Sequence, residues 1–224
     1  MSAARSRILQ DIRRSLRRGA LDGAARTAAE QRLANPPRGP LVARARLDQP
    51  ARVELFCRWA EANNATVAHV AAAQVPAEVA SFLARNNLPA SAAMAPASRL
   101  ERYGWQDQKM LALRRGPASA SDQVSITGAF AGIAETGTIV TVSGAEHPVT
   151  LNLLPDTHVV ILEEADIVAG YEEVWARLRA RFGKNAMPRT VNTITGPSRT
   201  GDIEQAIELG AHGPRRMHIV VVRD

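Results

Sequence analysis

Hydrophobic residues recur along this chain in two alternating spacings, one typical of amphipathic helices and one typical of buried strands. Apolar positions three and four residues apart predict helices over 51–64 (ARVELFCRWAEANN), 76–87 (PAEVASFLARNN) and 170–183 (GYEEVWARLRARFG). Short apolar runs predict strands at 65–70, 91–95, 124–127, 138–142, 157–162, 190–194 and 216–222. Because helices and strands alternate, the pattern predicts an α/β fold with a parallel-rich sheet flanked by helices.

Some segments depart from this alternation. Residues 129–135 (AFAGIAE) are interpreted as a short helical or looped crossing. Near the start, residues 6–19 (SRILQDIRRSLRRG) place four apolar side chains on one stripe of a basic helix, which can dock on the body of the protein or on a partner. Residues 20–48, rich in Ala, Gly, Pro and Arg, are interpreted as a linker. The sequence therefore predicts an N-terminal extension over 1–48 and one domain over 49–224.

Composition narrows the classes of function. The formal net charge is +6 and the sequence pI is about 10.6, so a basic surface can attract anionic ligands or an acidic partner. Aromatic residues make up only 4% of the chain, which argues against a nucleic-acid binder built on base stacking. No apolar run approaches the roughly 18 residues of a membrane span. We therefore expect a cytoplasmic protein that binds neither membrane nor nucleic acid.

The single cysteine, Cys57, lies in a helical pattern between Phe56 and Arg58. It cannot form an intramolecular disulfide, and it cannot supply the four thiolates of an iron–sulfur cluster. A lone thiol in such a pattern is interpreted as a small core residue in a reducing compartment. No cofactor is therefore expected in this chain.

The sequence lacks the common signatures of nucleotide, zinc and serine-hydrolase sites, namely G-x-x-x-x-G-K-[ST], G-x-G-x-x-G after a strand, H-E-x-x-H, zinc-spaced Cys/His clusters and G-x-S-x-G. Asp156 and His158, in LLPDTHVVI, can support a metal or proton transfer, but a capping Asp and a His at a sheet edge are the preferred interpretation. His69 and His218 fall within predicted strands and are interpreted as structural. No metal site is predicted.

The densest polar turn is TGPSRTGDIEQAIELGAHGP, residues 195–214, which separates two predicted strands. Thr200 can cap a helix that follows it. Backbone N–H groups from Ser198 to Asp202, with Arg199 adding charge, can hold an anion at the start of that helix. The negative charge of Asp202 weakens this attraction, so a capped strand-to-helix connection remains the alternative.

A second polar turn, AETGTIV, precedes the strand predicted at 138–142. Glu135, Thr136 and Thr138 surround Gly137. A carboxylate at such a turn can act as a general base, a nucleophile or a hydrogen-bond acceptor. It can equally bind backbone amides as an ordinary turn residue.

Four segments in register, AETGTIV, LLPDTHVVI, TGPSRTGDIE and LGAHGPRRMHIVVV, resemble the lactate utilization protein C family, also called the LUD domain family. The resemblance implies a fold like the NagB/RpiA/CoA-transferase group. It also implies a role in oxidising L-lactate to pyruvate alongside two partner proteins, one of which carries cysteine-rich iron–sulfur motifs beside its own LUD domain. Iron–sulfur chemistry is therefore expected in that partner, and this chain shows no flavin motif.

With this resemblance, the two polar turns become two walls of one candidate pocket, expected at the carboxyl ends of the strands. The proposed ligand-binding set is Glu135, Thr136, Gly137 and Thr138 on one wall, and Thr195, Gly196, Ser198, Arg199, Thr200, Asp202 and His212 on the other.

Two functions follow from this pocket. The first is an accessory subunit that binds, shapes or regulates within a lactate-oxidising system. The second is a stand-alone enzyme of the CoA-transferase or cyclo-ligase type, with Glu135 as nucleophile or base and Arg199 holding an anion. Charge alone leaves nucleic-acid association as a third hypothesis.

Overall fold

The computed structural model describes residues 3–183, 186–201, 207–210 and 212–223. The chain divides into two compact units, Met1–Pro40 and Leu41–Asp224, whereas the predicted boundary lies at residue 48. The first unit contains helix α1, Ala3–Ser15, and helix α2, Gly23–Ala34, and neither helix has a buried residue.

Helix α1 confirms the predicted basic helix, but the linker prediction is wrong over α2. The α2 sequence, GAARTAAEQRLA, is rich in strong helix formers and has no continuous apolar stripe. Intrinsic propensity favours this helix, and a search for hydrophobic periodicity does not detect it.

The second unit alternates helices and strands. Its helices are α3 Gln49–Ala62, α4 Val75–Arg85, α5 Ser98–Glu101, α6 Thr150–Leu153 and α7 Tyr171–Phe182. Its strands are β1 Thr66–Ala71, β2 Ser91–Met94, β3 Ala112–Arg115, β4 Val124–Gly128, β5 Ala131–Ile133, β6 Thr138–Val142, β7 Thr157–Glu163, β8 Ile167–Val168, β9 Val191–Ile194, β10 Arg199–Gly201, β11 Ile207–Leu209 and β12 Arg216–Arg223.

A six-stranded sheet forms the centre of the second unit, in the order β1-β12-β7-β4-β2-β3. Every neighbouring pair in it is parallel, so the predicted α/β class and parallel-rich sheet are confirmed. All seven residues of β7 are buried, because both faces of the strand are covered. Val159 and Ile161 face the core on one side, which includes residues of α4, and Val160 and Leu162 face the core that includes α3.

A smaller sheet in the order β8-β5-β6-β9 packs against α7 through Val174 and Leu178. Its strand β5 lies where a helical or looped crossing was predicted, so that prediction is wrong. The sequence there, Ala-Gly-Ile, has weak strand propensity. Gly132 packs closely, because a Cβ at this position would lie 2.8 Å from Cδ2 of Leu162 and 3.0 Å from Cε2 of Phe56.

The segment after Ser198 forms a hairpin. Strands β10 and β11 pair antiparallel, with Thr200 opposite Glu208, so the helix predicted after Thr200 is wrong over both strands. The part of that prediction at 202–206, including Asp202, lies outside the described residues. The Ser198 N–H donates to the Pro214 carbonyl, and the Gly210 N–H donates to the Ser198 carbonyl. Tertiary pairing has therefore overridden a local sequence that resembles a helix start.

Within the described residues, no helix has the length and apolarity that a membrane crossing requires.

Candidate functional site

A cavity of about 410 Å³ lies where the two sheets meet. We call it the amino-end cavity, because His158 and Met217, the second residues of β7 and β12, line it. The pocket was predicted at the carboxyl ends of the parallel strands, so the edge was predicted wrongly. Strand order and orientation decide which loops meet at an edge, and neither can be read from local sequence. The polar lining residues are Asn63, Asn152, His158, Thr193, Thr195, Ser198, Arg199 and His212.

Some of the predicted site residues line this cavity, and others lie outside its lining. Five of them line the cavity, namely Thr195, Gly196, Ser198, Arg199 and His212. The other wall, Glu135 to Thr138, is absent from the described lining. Thr200 is in β10, and Asp202 lies outside the described residues.

The two polar turns nevertheless contact each other. The Thr138 hydroxyl lies 2.8 Å from the Thr195 hydroxyl and 2.7 Å from that of Thr136. Strands β6 and β9 are antiparallel neighbours, which places the start of one beside the end of the other. The first turn therefore supports the second, and only the second faces the cavity.

Both turns press against the end of α3 through glycines with positive φ, +66° at Gly137 and +73° at Gly196. A Cβ on Gly137 would lie 2.3 Å from the backbone nitrogen of Ala60, and a Cβ on Gly196 would lie 2.1 Å from the carbonyl oxygen of Asn63. The Asn63 amide also donates to the Thr136 carbonyl at 3.1 Å. Close packing on α3 explains why both positions are glycine.

Glu135 has a structural partner. Its Oε1 accepts a hydrogen bond from the backbone N–H of Tyr171 at 3.2 Å, and Arg44 donates to its carbonyl oxygen at 3.1 Å. Tyr171 is the first residue of α7, so the carboxylate satisfies an otherwise unpaired N–H where the helix dipole favours negative charge. The nucleophile role of Glu135 remains a prediction.

His158 is one of two buried polar residues of the cavity, with 1% of its surface exposed, and Asn152 is the other. Its Nε2 lies 2.8 Å from the Thr127 hydroxyl, and its Nδ1 has no hydrogen-bond partner among the described residues. Burial and the nearby ring of His147 lower the pKa of His158 to about 3, so the imidazole is neutral at pH 7. Asp156 is exposed and lies 4.0 Å from Arg215, and among the described residues no hydrogen bond or ion pair joins it to His158.

Asn152 is a lining residue that the sequence did not single out. Its Nδ2 donates to the Thr141 hydroxyl at 2.9 Å, and its Oδ1 lies 3.0 Å from Nε2 of His147. It sits in the short helix α6, whose four residues give too little periodicity to be noticed. Among the described residues, no group of three or more His, Cys, Asp or Glu is placed to hold a metal ion.

The cavity has a positive electrostatic character. Arg199 is exposed at its edge and has no ion pair with a described residue. The described lining contains no carboxylate. Ser198 holds this edge together, because its hydroxyl accepts the His212 N–H while its backbone groups bond to Pro214 and Gly210. This arrangement suits a small anion with further hydrogen-bonding groups.

The remaining candidate residues are structural. His218 is buried, stacks on Phe82 with ring centroids 4.0 Å apart, and lies 2.8 Å from the Thr66 hydroxyl. Cys57 is buried in the core as predicted, with its sulfur 3.2 Å from Nε2 of His69. Burial raises the pKa of the Cys57 thiol to about 12, so the sulfur is an unreactive thiol.

These features define an α/β protein with a parallel central sheet and a positively charged cavity at the amino ends of its strands. The chain matches the LUD domain family over residues 53–222. It therefore belongs to that family, and the predicted family is confirmed.

Known relatives agree with this assignment. A Lactate utilization protein C from Geobacillus thermodenitrificans is 33% identical over 132 residues, which are 58% of this chain and 53% of the relative. The uncharacterized protein YkgG of Escherichia coli is 28% identical over 191 residues, 80% of this chain and 82% of that protein. The matches span about half the length of the Lactate utilization protein C relatives.

The fold also agrees with a solved structure. A crystal structure of a duf162 family protein from Deinococcus radiodurans superposes with a TM-score of 0.59 at 25% sequence identity, covering 79% of this chain and 99% of that one.

Proposed function

We propose that this chain is the ligand-binding, non-redox subunit of a cytoplasmic system that oxidises L-lactate to pyruvate. Relatives named Lactate utilization protein C support the lactate assignment. The oxidation removes two electrons and two protons from L-lactate. The proposal assigns the electrons to an iron–sulfur LUD-containing partner, with a second subunit completing the system.

The division of labour follows from the chemistry of this chain. Its one cysteine, Cys57, is buried and protonated, so it provides no thiolate ligand for a cluster. Binding and positioning are the tasks that the side chains of the amino-end cavity can perform.

One observation carries the proposal: a buried neutral histidine lines the same cavity as Arg199, an arginine without an ion pair among the described residues. The guanidinium of Arg199 can bind a carboxylate through two parallel hydrogen bonds. The free Nδ1 of His158 is suited to the hydroxyl of lactate or the carbonyl of pyruvate, according to which ring nitrogen carries the proton. Asn152 and the threonine hydroxyls can complete the hydrogen bonds of a small 2-hydroxy or 2-oxo acid.

The distribution of charge supports a docking role for the N-terminal unit. Residues 1–40 contain nine arginines and three acidic residues, a formal charge of +6, whereas the 19 basic and 19 acidic residues of 41–224 cancel. Apolar side chains on α1 are exposed beside these arginines, including Ile8 at 59% and Ile12 at 49%. An amphipathic basic helix of this kind can lie in an acidic, apolar groove of a partner subunit.

Ligand binding tests the site directly. Isothermal titration calorimetry with L-lactate and pyruvate should give saturable binding to the wild-type chain. Arg199→Gln should weaken this binding by about 1.5–3 kcal/mol, because a charged hydrogen bond is lost. Arg189→Gln, at another exposed arginine, is the matched control and should leave binding unchanged. Equal affinities in the two variants would contradict the role of Arg199.

Reconstitution tests the system. The chain should co-purify with an iron–sulfur protein from cells grown on L-lactate, and the complex should reduce a dye when lactate is added. Omitting this chain should lower the rate, and adding it back should restore the rate. Equal rates of lactate oxidation with and without this chain would contradict the proposed function.

A further inference from the structure

The six-stranded sheet contains a second feature that the amino-end cavity does not use. Strands β2 and β4 are neighbours, but the next strands of this sheet along the chain lie on opposite sides of the pair. Strand β3, which follows β2, lies beside β2, and β7, the next strand of this sheet after β4, lies beside β4. Open α/β sheets bind ligands at such a switch point, in the crevice outside the carboxyl ends of the two strands. The topology therefore marks a location for a ligand independently of any side chain.

A second cavity, of about 230 Å³, lies at this location. Ala97, just beyond β2, and Gly128, the last residue of β4, both line it. We call it the switch-point cavity. Its volume is below the roughly 300–1,000 Å³ of pockets for drug-sized ligands, so a small ligand fits it best.

Arg181, in the last turn of α7, brings a positive charge to the cavity. Its guanidinium lies 5.6 Å from the ring centroid of Phe130 and 5.4 Å from that of Phe182, both of which line the cavity. These distances fit cation–π contacts with both rings, and among the described residues no hydrogen bond engages the N–H groups of Arg181. Within the described part of the chain, no carboxylate forms an ion pair with Arg181, whereas Arg177 on the same helix pairs with Asp166 at 3.1 Å.

Of the other charged side chains of the cavity, Arg99 has a carboxylate partner, whereas Glu146 has no cationic partner among the described residues and keeps its negative charge at the rim. Arg99 pairs with Asp166 at 2.6 Å, and Glu146, exposed at the rim, accepts the Ser98 N–H at 3.4 Å. His147 is half-buried and its Nε2 lies 3.0 Å from Oδ1 of Asn152. Burial lowers the pKa of His147, and the neutral ring uses its Nε2–H as the donor to Asn152, so it adds no positive charge to the cavity. Arg181 is therefore the cation of this cavity that remains available to a ligand.

We infer that the switch-point cavity is a second binding site, which takes a small oxyanion through the N–H groups of Arg181. The oxyanion is a phosphate or a carboxylate group, and both present oxygens that match the N–H edges of a guanidinium. The inference does not depend on lactate as the ligand of the amino-end cavity.

The test is a titration of the full chain with inorganic phosphate and, separately, with acetate, followed by backbone amide NMR. Site-specific signals are needed because the arginines of residues 1–40 can also attract anions. Gly128 and Gly144 report on the switch-point cavity, Gly196 on the amino-end cavity, and Gly19 on the N-terminal unit. Comparison of the two titrations shows whether the site prefers a phosphate or a carboxylate group.

We expect saturable shifts at Gly128 and Gly144 with at least one of the two anions. Arg181→Gln should weaken that binding about tenfold or more, and Arg181→Lys, which keeps the charge, should weaken it less. Arg179→Gln is the matched control, because Arg179 is also exposed in the last turn of α7 and does not line the cavity.

Shifts confined to Gly19 or Gly196, or no saturation with either anion, would overturn the inference. Equal affinities of Arg181→Gln and Arg179→Gln would also overturn it. Failure of lactate binding in the amino-end cavity would leave this result unaffected, because the reporting amides belong to different cavities.

Discussion

Replacing Gly137 by alanine tests whether the turn before β6 is held by packing on α3. At φ +66° an alanine loses about 1–2 kcal/mol to steric strain, partly offset by about 0.4–1 kcal/mol from a stiffer unfolded chain. Its Cβ would also meet the backbone of Trp59 and Ala60 at 2.3–2.8 Å. Backbone cannot rotate away as a side chain can, so we add about 1–3 kcal/mol for overpacking. The expected loss of unfolding free energy is about 2–4 kcal/mol.

Gly104→Ala is the matched control. Gly104 has φ +67°, and a Cβ there meets only the side chains of Asp107 at 3.4 Å and Gln106 at 3.8 Å. Urea denaturation should show a loss of about 1 kcal/mol or less for this variant, because only the conformational cost remains. Similar losses in Gly104→Ala and Gly137→Ala would refute the packing argument.

Ligand affinity should separate the two variants as well. Displacing the end of α3 moves Asn63, which lines the amino-end cavity and donates to the Thr136 carbonyl. Gly137→Ala should therefore weaken lactate binding in calorimetry, and Gly104→Ala should leave it unchanged.

Three further predictions concern acid stability, the carboxylate and the docking helix. Burial lowers the pKa of His158 to about 3 and of His218 to about 4, below the ordinary value near 6.5, so the unfolded state binds more protons between these values. The free energy of unfolding should therefore fall as pH decreases from about 6.5. At about pH 5 the expected loss is about 2 kcal/mol for each histidine relative to neutral pH. Denaturation curves that coincide at the two pH values would contradict this. Glu135→Gln keeps an acceptor oxygen, so its free energy of unfolding should fall by less than about 1 kcal/mol and dye reduction should continue. Loss of turnover in a folded variant would favour the enzyme hypothesis. Arg13→Glu with Arg14→Glu lowers the charge of the N-terminal unit by four, so quantitative pull-down should recover less partner, while the double lysine variant should match wild type.

Much of the fold is predictable from local sequence because buried parallel strands and amphipathic helices leave different patterns. The β7 sequence, THVVILE, is a continuous apolar run because both of its faces are covered. Helix α7 repeats its apolar residues at helical spacing, with acidic residues in its first turn and arginines in its last. These signals are local, so they can be recognised without knowledge of the tertiary structure.

The errors lie where a distant segment determines the local structure. Strand β5 has weak propensity of its own and exists through pairing with β6 and β8. The hairpin β10–β11 replaces a predicted helix because Ser198 bonds to residues that follow it by more than ten positions. The edge of the sheet that carries the pocket follows from the strand order, which has no local signature.

The same reasoning separates the two polar turns, which looked equivalent in sequence. Gly137 and Gly196 share a positive φ and both touch the end of α3, so each turn needs its glycine for packing. Only the turn that contains Gly196 also faces the amino-end cavity, where neither the guanidinium of Arg199 nor Nδ1 of His158 has a polar partner among the residues that the structure describes. A glycine in such a turn therefore indicates only that the backbone lies close to another part of the chain. An unsatisfied polar atom at a cavity wall is the more specific indication of a binding site, because a ligand that bonds to such an atom offsets the cost of its burial.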